Sequence, residues 1–236
     1  MNRREKTNKR LAIIAVMAST IAIAGCETTP AREPTIQSGP GAEVTVDGLH
    51  RVDNSKMAMA YVKPDVDLSG YTKIMLEPVS IAYKKQPRST GKMRTARSDS
   101  NFALTPKQTE KMKSLFQEAT VSALTSDNEY RIVNKPGPDV LRVRCASIDL
   151  VITVPTEEPV GRGRTYAQSV GAVTLIIELR DSETGEIFAR VVDRKAHDSG
   201  IGMTRVSSVS VTSDLKRLFK FWAGHLRDGV DKIRSI

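Results

Sequence analysis

Apolar positions fall along this chain in blocks of different period, and the periods predict its elements. Residues 11–24, "LAIIAVMASTIAIA", form one uncharged apolar run with no polar face. Residues 27–45 have no apolar period, and their Thr, Pro, Gly and Ser content predicts a flexible tether. Strand patterns follow. "MAMAYV", 57–62, alternates weakly; "YTKIMLEPVSIAY", 71–83, alternates more clearly, with Ile74, Leu76, Val79 and Ile81 as core candidates. Pro78 inside that run predicts an edge strand or a bulge, since proline has no N–H to give a ladder. The period then changes to helical. Thr105 suits an N-cap, Pro106 the first helical position and Gln108 a capping box. Met112, Leu115, Phe116, Ala119 and Ala123 recur at helical spacing up to about Leu124. "YRIV", 130–133, reads as a short strand and residues 140–154 as a long one. Residues 170–181 and 186–196 read as a hairpin around "SETG". A last helix is predicted from Thr212 or Ser213, with Leu215, Leu218, Phe219, Trp222, Leu226, Val230 and Ile233 as its apolar stripe. Gly224 and Gly229 interrupt it, each at about 1 kcal/mol against alanine.

The order strand, helix, three strands, helix predicts an α+β fold. It would be a single antiparallel or mixed sheet of about 4–5 strands, with two long helices packed on one face, after the flexible N-terminal tether. The predicted divisions are residues 1–25, 26–45 and 46–236, the last a single domain. With 236 residues, 39% hydrophobic and 27% charged, the chain has material for one real core.

Charge sharpens the reading of the N-terminus. Arg3, Arg4, Lys6, Lys9 and Arg10 stand against Glu5, so residues 1–25 hold +4 of the formal net charge of +9 and leave a mildly basic remainder. That density is too low for a nucleic-acid surface, and aromatic residues are sparse, so no nucleic-acid partner is expected. A basic flank followed by an apolar run too short for a comfortable span predicts a secretory signal peptide. Its end is more specific. Ile23, Ala24, Gly25 and Cys26, "IAGC", resemble the lipobox of bacterial lipoproteins. The resemblance implies cleavage before Cys26, with a covalent diacylglycerol and an N-acyl chain on it as the only attached groups. It implies a membrane partner through that anchor. Glu27, in place of an aspartate that favours inner-membrane retention, implies an outer-membrane address facing the periplasm. Cys145 is then left alone, so no intramolecular disulfide is expected; within a strand pattern it reads as a small core hydrophobe.

No reaction is readable. His50, His197 and His225 do not sit at metal-ligand spacing, and no catalytic residue and no metal site is predicted. "GRGR", 161–164, lacks the lysine and hydroxyl of a P-loop. Glu157 and Glu158 have no opposed carboxylate, and His197–Asp198 reads as a polar strand end. The feature left over is a basic loop. Lys84, Lys85, Arg88, Lys92, Arg94 and Arg97 occur with no acid before Asp99. Such a run is either a solvated loop or a contact for an anionic surface, namely lipid headgroups, lipopolysaccharide phosphates or an acidic protein.

Four pieces together carry a second resemblance: the lipobox, "DLSGYTKIMLEPV" (67–79), "LRVRCASIDLV" (141–151) and "ELRDSETGEIFARVVD" (178–193). Over roughly residues 45–233 the chain resembles a family of proteobacterial lipoproteins catalogued as domain of unknown function 3313. This implies no catalytic residue. The expectation is therefore a lipid-anchored, non-enzymatic binding or assembly module of the cell envelope, meeting an envelope protein or a cell-wall component. The alternatives are a small-ligand or lipid binder, or an enzyme whose site is assembled only in three dimensions.

Overall fold

The structure is a computed structural model that describes residues 32–84, 102–127, 129–152, 165–167, 169–198, 204–206 and 208–234. The compact unit begins at Glu33. In chain order its elements are β1 (Thr35–Ile36), β2 (His50–Asp53), β3 (Met59–Val62), β4 (Lys73–Leu76), β5 (Ser80–Tyr83), α1 (Pro106–Leu124), β6 (Arg131–Ile132), β7 (Val140–Ile152), β8 (Thr165–Ala167), β9 (Ser169–Asp181), β10 (Ile187–Asp198), β11 (Thr204–Val206) and α2 (Ser208–Arg234).

The expected sheet of about 4–5 strands is corrected. The structure has a mixed sheet of nine strands, ordered β1-β2-β3-β10-β9-β7-β4-β6 with β5 also on β7, and two helices. β4 and β5 run parallel to β7, β4 runs parallel to β6, and the other pairs are antiparallel. The strands missed by periodicity are the short ones. β1 and β2 have two and four residues, too few for an alternation to show. β1 falls in the stretch whose composition predicts a tether. It is held by pairing Thr35 with Asp53 and Ile36 with Val52, and by the Gln37 N–H donating to the Arg51 carbonyl at 2.8 Å. Pro78 acts as neither edge nor bulge but as a break. The 71–83 run is cut there into β4 and β5, which pair in turn with residues 140–143 and 146–150 of the same β7. Both ends of the ordered path are two-residue strands, which leaves little edge for another chain to pair with.

Three strands carry the frame. β7, β9 and β10 are 12 or 13 residues long and pair along nearly their whole length. Leu141, Val143, Cys145 and Ser147 of β7 point to one face with Val173, Leu175, Ile177 and Leu179 of β9, all buried. α1 and α2 pack on that face, where Met112, Phe116, Phe219 and Trp222 close over Ser147 and Leu175. Phe116 meets Phe219 edge to face at 5.4 Å. α1 starts as its capping box dictates: Thr105 Oγ1 accepts from the Gln108 N–H, and Gln108 Oε1 accepts from the Thr105 N–H. On the opposite face, residues of the other alternation carry charge. Glu178 lies between Arg180 (2.8 Å) and Arg190 (2.9 Å), and Arg190 also reaches Asp47 (2.8 Å).

Candidate functional site

Most residues singled out from the sequence lie outside the described part of the chain. Ile23, Ala24, Gly25 and Cys26 do, as do Lys85, Arg88, Lys92, Arg94 and Arg97 of the basic loop, and Glu157, Glu158 and residues 161–164. Lys84 is described. It stands exposed at the end of β5, its N–H donating to the Leu150 carbonyl at 3.2 Å. The three histidines are apart: His50 Nδ1 lies 2.8 Å from the Gln37 carbonyl, His197 belongs to β10, and His225 Nδ1 sits 3.6 Å from Asp228 on α2. Among the described residues no group of three His, Cys, Asp or Glu could hold a metal, and no helix is long and apolar enough to cross a membrane. Cys145 is 1% exposed, and burial, followed by the charge of Glu77, pushes its thiol up to about 12. A thiol so far from ionising is no nucleophile.

The two sequence signatures meet in space. Tyr71, before β4, donates its hydroxyl to Asp181 Oδ2 at 2.7 Å. Asp181 closes the β9–β10 turn with its other oxygen, which accepts from the N–H groups of Glu183 (3.0 Å) and Thr184 (2.6 Å) and from the Thr184 hydroxyl (2.8 Å). Gly185 supplies the left-handed residue the turn needs, at φ +75°. Ser182, 2% exposed, accepts from the Gly137 N–H and donates to the Gly137 carbonyl. Lys73 holds Asp139 at 2.8 Å across the same corner. Each of these polar groups is engaged in fixing turns around the start of β7, so the motif is architectural.

Two further polar centres tie α2 down. Asp193, 2% exposed, accepts from Trp222 Nε1 (2.7 Å) and from the Ala58 N–H (3.2 Å), and pairs with Lys195 (3.2 Å). Arg227 donates to the carbonyls of Ala123 and Leu124 and pairs with Asp127, Glu129 and Asp231. α1 has no basic residue in its last turn, and Arg227 of α2 supplies the cation its carbonyls favour. A periodicity reading places Arg227 beside the apolar stripe and gives no hint of this role.

What remains is a concavity. A helix is about 10 Å across and strands lie about 4.8 Å apart, so two helices cover some four or five strands of nine. Between the C-terminal half of α2 and the β2–β3–β10–β9 side of the sheet lies a cleft of about 170 Å³. Val52, Ala60, Val62, Ala189 and Val191 form its floor with Ile177 and Leu179; Leu226, Gly229 and Ile233 of α2 form one wall, and Pro34, Ile36 and Met57 another. His225 and Lys232 are the two lining residues that can carry charge. A Cβ placed on Gly229 meets nothing within 4 Å. A second concavity, beside Ser147 in the core, measures about 10 Å³, the limit for one water. The larger volume is comparable with the engineered cavity of about 150 Å³ that takes benzene, room for one hydrocarbon chain or one apolar side chain.

Among the described residues, fold and site define a two-layer domain, a nine-stranded mixed sheet under two helices, with structural polar clusters and an apolar cleft. The chain belongs to the family described as protein of unknown function (DUF3313), whose model matches residues 44–226. No curated protein matches it. Among solved structures it is similar to a homolog of the neuraminyllactose-binding hemagglutinin from Helicobacter pylori, at 10% identity and a TM-score of 0.39, over 72% of this chain and 88% of that one. It is also similar to protein XCC0632 from Xanthomonas campestris, of family DUF330 (9% identity, TM-score 0.37, 70% and 86%). A third is the PelC dodecamer from Paraburkholderia phytofirmans (14% identity, TM-score 0.34, 71% and 94%).

Proposed function

We propose that this chain is a non-enzymatic binding module of the bacterial cell envelope, held on the periplasmic side of the outer membrane by acyl chains on Cys26, which takes an apolar group into the cleft beneath α2. One observation carries the reading: α2 keeps a glycine where the cleft opens. Gly229 costs the helix about 1 kcal/mol relative to alanine. The space beside it is empty, so no close packing requires the absence of a side chain. Gly224 of the same helix is equally open, and Gly229 differs from it in lining the cleft, where an added side chain would take up ligand space. The apolar lining states what kind of group the space takes.

The test uses the fluorescent apolar probe N-phenyl-1-naphthylamine, titrated into the full chain and into Gly229→Leu. The expected result is saturable binding that the substitution weakens about tenfold, since a leucine forced into an occupied space costs about 1–3 kcal/mol. Equal binding by a folded Gly229→Leu protein removes the cleft from the account.

A further inference from the structure

The short stretch of sequence between Cys26 and the cleft narrows its ligand. We infer that it holds an acyl chain of a phospholipid from the membrane that carries the protein, with the lipid's phosphate against Lys232; the inference rests on the binding function and the Cys26 anchor proposed above.

The argument begins with the walls. One of them comes from the start of the compact unit: Pro34 and Ile36 line the cleft, and Glu33, next to Pro34, pairs with the lining residue Lys232 at 3.1 Å. The first residues of the compact unit are therefore part of the cleft's wall. Six residues, 27–32, separate Cys26 from Glu33. Fully extended, that link reaches at most about 25 Å. A lipidated Cys26 thus keeps the cleft within one bilayer thickness of the headgroups, where acyl chains are the most concentrated apolar ligand available.

Size and charge agree with that occupant. About 170 Å³ with an apolar lining admits the terminal part of an acyl chain. The rim cation is placed for a headgroup. Lys232 lines the cleft and its side chain is 46% exposed, so a phosphate at the surface can reach its ammonium group. Gly229 adds no side chain to this lining, and a Cβ there would meet nothing within 4 Å.

The experiment places the full lipidated protein in vesicles of phosphatidylethanolamine and phosphatidylglycerol containing a phosphatidylglycerol with a diazirine at its acyl terminus. After irradiation, labelled peptides are mapped by mass spectrometry. The expected label falls on the peptides spanning Met57–Val62 and Leu226–Ile233, and Gly229→Leu reduces it about tenfold without lowering the melting temperature. Label confined to peptides outside the cleft, or cleft labelling that Gly229→Leu leaves unchanged, overturns the inference. The naphthylamine titration separates the two failures. If that probe binds wild type and not Gly229→Leu while lipid label misses the cleft, the cleft binds apolar groups but not membrane lipid. If neither reagent reaches it, the binding function falls as well.

Discussion

Asp181 accepts four hydrogen bonds, three from the turn that follows it and one from Tyr71. Burial alone would raise its pKa, but the bonds from Thr184, Tyr71 and Glu183 outweigh it and hold the carboxyl below its ordinary value. A carboxylate depressed in the folded state contributes stability above its unfolded pKa of about 3.9, and that contribution is lost as pH falls through the folded value. Urea unfolding at a series of pH values should therefore show wild type losing stability below about pH 4 more steeply than Asp181→Asn. At neutral pH the variant should be less stable by about 1–3 kcal/mol. Equal acid limbs would show that the carboxylate's charge is not what the turn uses. The turn itself was legible in "DSETG", because aspartate, threonine and glycine are each there for local backbone reasons. The Tyr71 contact was not legible, since it joins positions 110 residues apart.

Elements follow the same division. The boundaries of α1 agree with its cap and its last apolar position, because both signals are local. α2 begins at Ser208, about one turn ahead of the predicted start, and β11 lies within a Gly/Ser-rich stretch that composition assigns to loop. Pairing with β8 overrides that composition. The long β7 was read correctly as one strand, but its irregularity was not. Its register on β9 shifts between Ile148 and Val151, with Asp149 at φ +51°. Gly171 of β9 faces this bulge at φ +155°, and a Cβ there would stand 2.2 Å from the Val151 carbonyl oxygen. Backbone cannot give way as a side chain does, so Gly171→Ala should destabilise the domain by at least about 2 kcal/mol in urea unfolding. A change within about 0.5 kcal/mol, the range of ordinary surface substitutions, would mean that β7 and β9 can separate locally at little cost.

At the scale of the whole molecule, the mismatch between a wide sheet and two helices makes the candidate site. Periodicity could not reveal it. The cleft takes one or two residues from each of five strands, Pro34, Met57 and five residues of one helix, positions far apart in the sequence. The sequence offers one trace of it, Gly229, one of two glycines with Gly224 that cost the last helix stability, and only the structure tells the two apart. That residue gives the most direct test, thermal unfolding and naphthylamine affinity measured together on wild type and Gly229→Ala. A helix glycine replaced at no steric cost should gain about 1 kcal/mol, a rise of roughly 2–4 °C for a domain of this size. The account predicts that this gain comes with weaker probe binding, because the added methyl group takes space from the ligand. A more stable variant that binds the probe as well as wild type would contradict it, leaving the glycine without a role and the cleft without its strongest evidence.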